Sequence, residues 1–195
     1  HTKNKILTKN KELYVNVPVL GSRLQDIYNV KIDDKSKWRK KIIFTISQNY
    51  SKHPYFYLIE ELVIANIENK DISQLYDLNC NIILDISKKI GCKTKFKNDY
   101  DHQFIGKKSE KLKNICEHFN IQNYISPIGS KKYIENELIL KENNINIKYL
   151  EINNEIEYPQ INSKKFIDNL SIIDVIANIG LDGTLEYINK KYKLI

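Results

Sequence analysis

The stretch SEKLKNICEHFNIQNYISPIGSKKYIENELILKENNINIKYL, residues 109–150, alternates helical and extended patterns and so decides the fold class. Ser109 to Phe119 reads as a helix with Ser109 at its N-cap, where a hydroxyl can accept from an otherwise unpaired backbone N–H. Asn123 to Ser126 reads as a strand, Pro127 to Ser130 as a tight loop, Lys131 to Asn143 as one helix or two short ones, and Ile145 to Leu150 as another strand. Just upstream, KTKF at 93–96 reads as a strand and Lys97 to Lys108 as a loop containing Gly106. Strand, loop and helix in repetition favour an α/β sheet with functional groups in loops at the carboxyl ends of strands. Strands near 93, 123 and 146 are expected in one sheet, paired parallel, because a helix long enough for a crossover separates each successive pair.

Toward the N-terminus the period changes to that of helices. Trp38 to Tyr50 carries Trp38, Ile42, Ile46 and Tyr50 at a step of four, as an amphipathic helix does. His53 and Pro54 interrupt it, and Pro54 can open the next helix. His53 at this turn is expected to be a capping or exposed residue, with a catalytic base as the sharper alternative. A third helix, Ser73 to Ile90, ends at Gly91, and the three helices are expected to pack as a group. Before them, ELYVNVPV at 12–19 alternates as a half-buried strand, Gly21 to Gln25 turns, and Tyr28 to Ile32 is expected to pair with the first strand. The fold class is therefore α/β: a parallel or mixed sheet flanked by helices, with a central three-helix group and an N-terminal strand pair.

A chain of 195 residues fits one domain, here taken as 1–195. Cys80, Cys92 and Cys116 are odd in number and lack metal-ligand spacing, so they read as small core residues in a reducing cytoplasm, and no metal site is read. HTKNKILTKNKELY at the start has no continuous apolar run, and no segment is long enough to span a bilayer. The net charge of +7 points to polyanions, whether nucleic acid, a phosphorylated substrate or an anionic membrane surface, and the lack of an Arg-rich cluster or RNP-like aromatic motif argues against nucleic acid.

YPQINSKKFIDNLSIIDVIANIG, residues 158–180, joins a core helix to an unusual polar row. From Asn169 onward Ile172, Ile173, Val175, Ile176 and Ile179 form an apolar sector. Asp168, Ser171, Asp174 and Asn178 follow at steps of three and four and line one stripe beside it. The stripe either faces a cleft or is a solvated face with Asp168 or Asn169 as N-cap. On the first account a carboxylate of the row is less exposed than an ordinary surface Asp.

Two loops suit anions. Lys107 and Lys108 precede a helix N-terminus, where the dipole disfavours cations unless an anion lies between, and Ser130 and Lys131 repeat the arrangement after Gly129. Both loops are expected to open toward a common pocket that Asp168, Ser171 and Asp174 also border. Lysine-rich loops in a basic chain are the competing account. No complete Walker or dinucleotide glycine motif is present, and no cofactor is assigned.

The blocks KNKI (3–6), KIDDKSKWRKK (31–41), NYSKHPYF (49–56), YISPIGSKKY (124–133) and DNLSIIDVIANIG (168–180) together resemble the WbqC-like family of bacterial surface-polysaccharide gene clusters. The resemblance spans almost the whole chain, and the last block is the most specific. Members of that family usually begin with a His/Met-Gln-Pro-aromatic segment and an Asp-rich strand end, which this chain lacks, so a missing N-terminal family segment is expected. The resemblance implies O-antigen or capsule biosynthesis, with transfer of a glycyl or other acyl group to a sugar. Its motif positions fall on Asn4, Lys5, Gly106, Lys111, Ser126, Gly129, Tyr133, Gln160, Asp168, Ser171 and Asp174. On a transferase account Lys107, Lys108, Lys131 and Lys132 hold the diphosphate of a nucleotide-linked sugar, with Ser109 and Ser130 as further substrate-binding candidates. Asp174 or Asp168 is then general base, and Ser171 and Gln160 position the sugar. The alternative is a non-catalytic module binding a glycan precursor or a partner enzyme. Cys116 is a poor nucleophile candidate, because His118 lies on another helix face.

Overall fold

A computed structural model describes residues 2–9, 11–21 and 25–195. The fold is α/β, with an antiparallel strand pair, a helical group and a three-stranded mixed sheet. The chain forms two compact units, residues 1–93 with 157–187 and residues 94–156 with 188–195, and each is described by itself.

In the first unit β1 (Lys3–Thr8) and β2 (Lys11–Asn16) pair antiparallel with Ile6 opposite Leu13. The N-terminal pair is thus present one strand earlier than its sequence suggests. Lysines mask β1, yet Ile6 and Leu7 are both fully buried and anchor it. The expected pairing of 12–19 with 28–32 survives only at the bridge between Val19 and Ile32, because Ile27–Asn29 is a 3-10 turn and Lys31 bridges to Gln74 instead. The turn expected at Gly21 to Gln25 lies largely outside the described residues.

Three helical segments follow: α1 (Trp38–Tyr50); α2 (Phe56–Ile59), running through a π-helical turn at Glu60–Ile64 into α3 (Ala65–Glu68); and α4 (Leu75–Lys89). The step-of-four row of α1 is buried throughout and meets Leu62, Ile67, Leu75 and Leu78 in one core. Full burial of each Leu or Ile stabilises by about 1.5–3 kcal/mol, which outweighs the modest helix propensity of so many β-branched residues. Gly91, at φ 78°, ends α4: its N–H donates to Lys88 and that of Cys92 to Ser87 at 2.9 Å, a Schellman stop. Arg39 ties the group to the chain before α4, donating to the carbonyls of Ile67, Asn69 and Ile72 while pairing with Asp34.

The second unit holds α5 (Asp99–His102), α6 (Lys108–His118), β3 (Asn123–Pro127), α7 (Lys131–Glu137), α8 (Ile139–Glu142), β4 (Asn146–Ile152) and β5 (Tyr192–Leu194). β3 and β4 pair parallel, as the intervening helices require, and β5 joins β4 antiparallel. Cys116, Ile134, Leu140 and Ile145 form its small core. KTKF at 93–96 is not a strand: all four residues are exposed, and two lysines in four leave no face to bury. Of the cysteines only Cys116 is a core residue; Cys80 is half-buried and Cys92 exposed.

α9 (Ile172–Lys191) begins three residues later than its sequence suggests, because Asn169 adopts φ 58°. Ser171 caps it, not Asp168 or Asn169: the Ser171 Oγ accepts from Ile173 and its carbonyl from Asp174. Gly180 breaks the helix at φ 70°, and a Cβ there would lie 2.8 Å from the Tyr55 ring, so only glycine fits. Among the described residues no helix is long and apolar enough to cross a membrane.

Candidate functional site

The polar row of residues 168–178 resolves into a buried network in the first unit. Ser171, Asp174 and Asn178 are buried, and the Asp174 side chain is among the largest fully buried in the chain. Asp168 lies ahead of the helix, half-buried, with its Oδ1 accepting from Asn169 N–H. The helical face is therefore not solvated over its first two turns.

Asp174 is enclosed by donors. Tyr50 Oη donates to Oδ1 at 2.8 Å, Tyr158 Oη to Oδ2 at 2.7 Å, and Gln160 Nε2 to Oδ2 at 3.2 Å. A carboxyl taken from water costs several kcal/mol unless such donors replace its hydration, and here three side chains from two segments, α1 and the 158–160 loop, do so. Those donors are themselves fixed. Leu7 N–H donates to Tyr50 Oη at 2.8 Å, and Gln160 exchanges bonds with the backbone of Ile167 at 2.8 and 2.9 Å. The Tyr158 ring stands edge-on to Phe166 and Tyr187. Asn178 Nδ2 donates to the Asp174 carbonyl at 2.7 Å and its Oδ1 accepts from Ile161, which pins the 158–162 segment along the helix. Burial first, and then the neighbouring Asp174 charge, push both tyrosine hydroxyls well above the usual phenol range, so they remain donors.

His53 adjoins this network. It is 5% exposed rather than a solvent-facing cap, because Tyr55 N–H donates to the Ala177 carbonyl and the turn packs on α9. Its ring lies 4.8 Å from that of Tyr50, and neither imidazole nitrogen has a hydrogen-bond partner. Burial lowers its pKa, with the Asp174 charge and the Tyr50 backbone opposing that effect in part. A buried donor or acceptor left without a partner costs about 1–3 kcal/mol, so this imidazole is a group whose burial calls for an explanation.

Tyr50 and Tyr158 are the members that sequence reasoning missed, whereas His53 is weighed there as a capping or exposed residue, with a catalytic base as the alternative. Tyr50 completes an apolar row, so its hydroxyl was the only signal: a phenol at a core position must find a partner. Asn4 and Lys5 lie on β1. The Asn4 side chain accepts from Lys5 N–H, the Lys5 carbonyl accepts from Ser171 N–H at 2.7 Å, and its ammonium pairs with Glu12.

The remaining sequence-selected residues lie in the second unit. Lys107 and Gly106 are exposed, Lys108 pairs with Glu137, and Lys111 pairs with Asp99. Ser109 is fully buried and its N–H donates to Glu137 Oε2 at 3.3 Å. A carboxylate of the chain's own thus sits at the start of α6. Hydrogen bonds from Ser109 and the charge of Lys108 hold the Glu137 carboxyl below its usual range. In the other loop Ser126, buried, and Ser130 share a hydroxyl contact, Ser130 donates to the Pro127 carbonyl, Gly129 and Tyr133 are exposed, and Lys131 lies over the Tyr149 ring. The two basic loops flank opposite ends of α7, about 10 Å apart for a seven-residue helix. A groove of about 800 Å³ nearby is lined by residues 144–149 with Asn123, Glu135 and Lys141, and neither loop contributes to it. The described residues contain no cluster of three or more His, Cys, Asp or Glu suited to a metal ion.

No solved structure matches the chain. It is similar to "Uncharacterized protein Rv1507c" of Mycobacterium tuberculosis, at 23% identity over 93% of this chain and 78% of that protein. The model of the WbqC-like protein family matches residues 1–186, from the β-hairpin through the buried carboxylate to α9, and the chain belongs to that family.

Proposed function

We propose that the chain is a transferase of surface-polysaccharide biosynthesis that moves an acyl or aminoacyl group, glycyl among them, onto a nucleotide-linked sugar. The observation that carries this reading is the enclosed Asp174 carboxylate beside the unpartnered His53. Buried groups of this kind are held at a cost that favours a chemical task over a purely structural one. In the transfer, the acceptor amine or hydroxyl bonds to the acyl carbon, its proton passes to Asp174, and the donor's carrier departs with the electron pair of the broken bond. Oδ1 accepts one hydrogen bond and Oδ2 two, so Oδ1 retains the capacity to take that proton. Ser171 and Gln160 position the acceptor and Asp168 is the second acidic candidate. The substrate is a small molecule encountered in the cytoplasm.

A second reading is favoured by the complete burial of Asp174. A carboxylate that no acceptor reaches is a scaffold, and the chain is then a module that binds a glycan precursor or a partner enzyme. Incubation with acyl donors and amino-sugar nucleotides, followed by mass spectrometry, separates the two. The transferase reading expects an acylated sugar nucleotide and thermal stabilisation by donor and acceptor alike; stabilisation by one ligand with no product supports the module.

A further inference from the structure

Four rings of the second unit meet where the ends of α5 and α6 come together. His102 ends α5 and His118 ends α6, and their ring centroids lie 5.0 Å apart at an interplanar angle of 61°. Phe104 stacks on His102 at 5.4 Å and 24°, and Phe119 stands edge-on to both imidazoles, at 5.1 Å from His102 and 4.7 Å from His118. Apolar packing accounts for the two phenylalanines, but not for nitrogens in the other two rings. Among the described residues neither imidazole takes part in a hydrogen bond or an ion pair. His118 is exposed and His102 half-buried, so the pair reaches solvent while the phenylalanine rings pack against it.

We propose that His102 and His118 together bind a divalent transition-metal ion, zinc or a near neighbour, each through one ring nitrogen, with water completing the coordination. Zinc takes imidazole nitrogens at about 2.0–2.1 Å in tetrahedral geometry, which puts each ring centroid about 3.2 Å from the ion and two such centroids about 5 Å apart. The observed separation of 5.0 Å meets that requirement. A half-turn of either ring about its Cβ–Cγ bond exchanges nitrogen for carbon at the facing edge without moving the ring, so the ring separation is the geometric criterion. Imidazole suits zinc, nickel and copper, whereas magnesium and calcium take oxygen. The stacked Phe104 holds the plane of His102, the orienting role that surrounding groups play at metal sites. Asp101 and Glu117 adjoin the two histidines in the chain and offset the Lys97 ammonium, which lies 5.8 Å from the Phe119 ring centroid. Such an ion has a structural task here. α5 has only four residues, and Gln103, Gly106 and Lys108 beyond it all adopt positive φ, so a link from its end to α6 fixes a segment with little helix of its own. The inference is independent of the transfer chemistry, which resides in the other unit's residues.

The test is calorimetric titration of the whole chain, stripped with EDTA and dialysed, with Zn²⁺ alone, using Mg²⁺ as the control and NMR of the imidazole resonances as a second readout. A saturable one-to-one step is expected for Zn²⁺ and not for Mg²⁺, with the ring signals of His102 and His118 shifting together and the thermal midpoint rising. His102→Phe and His118→Phe each keep a ring in the cluster and remove its nitrogens. Loss of a group that merely orients a metal ligand costs about 10–100-fold in affinity, so loss of either ligand is expected to weaken Zn²⁺ binding by at least about tenfold, with the metal-free thermal midpoint unchanged. Should a phenylalanine variant not fold, His102→Gln and His118→Gln carry the same expectation. Absence of a saturable Zn²⁺ step overturns the proposal, as does a step that survives both substitutions or responds to only one of them. Loss of the step in Cys92→Ser, with both histidine variants still binding, assigns the ion to that exposed thiol and overturns it too.

Discussion

Replacing Tyr50 by Phe removes one oxygen and leaves two groups without their partner. Tyr50 Oη donates to Asp174 Oδ1 at 2.8 Å and accepts from Leu7 N–H at 2.8 Å, all three residues being fully buried. Loss of a hydrogen bond to a carboxylate costs about 1.5–3 kcal/mol, and an orphaned buried N–H adds about 1–3 kcal/mol. Partial overlap of these penalties makes a net loss of roughly 3–5 kcal/mol reasonable, a large share of the 5–15 kcal/mol that typically holds a domain together. Urea unfolding followed by far-UV circular dichroism measures it as a fall in midpoint at constant slope. Adding Asp174→Asn completes a double-mutant cycle in which the coupling energy should exceed about 1 kcal/mol. A Tyr50→Phe loss below about 1 kcal/mol, or strictly additive effects in the cycle, would refute the claim that this phenol holds the carboxylate.

Three further outcomes follow from the same geometry. The folded-state pKa of His53 is depressed below the ordinary 6.5, so the unfolded chain binds the extra proton first; its contribution is present above that value and is lost as pH falls through the folded pKa. Urea midpoints of the wild type should therefore fall faster below pH 6.5 than those of His53→Leu, and parallel curves would remove His53 from the account. Tyr50 and Tyr158 are raised above the ordinary phenol value of 10.0, so the stability they contribute is full below it and is lost as pH rises through the folded values, which Tyr158→Phe should blunt in an alkaline titration. Gly180→Ala meets the Tyr55 ring and a positive φ together, and thermal unfolding should show a loss of at least about 1–3 kcal/mol.

Sequence periodicity revealed most of the skeleton because it reports burial. The row Trp38, Ile42, Ile46, Tyr50 is buried as its spacing implies, and Asn123 to Ser126 and Ile145 to Leu150 pair parallel because helices lie between them. Patterns failed where burial rested on few residues or on distant partners. Two apolar residues, Ile6 and Leu7, sufficed to seat β1 among lysines, whereas KTKF alternates without any face to bury. The polar row was legible at Asp174 and Ser171, but its partners come from Tyr50, 124 residues away, and from the loop at Tyr158 and Gln160, and no local period encodes such a meeting. His53 was misread for the same reason: HisPro marks a turn, and only the docking of that turn on α9 buries the ring.

Single-turnover transfer by Asp174→Asn, measured beside its folded fraction and beside Asp168→Asn, tests the central claim most directly. With the variant folded, a fall of roughly 10²-fold or more in transfer is the predicted result, since the amide keeps the size of the side chain and loses its basicity. Undiminished transfer by folded Asp174→Asn, with Asp168→Asn equally active, would contradict it.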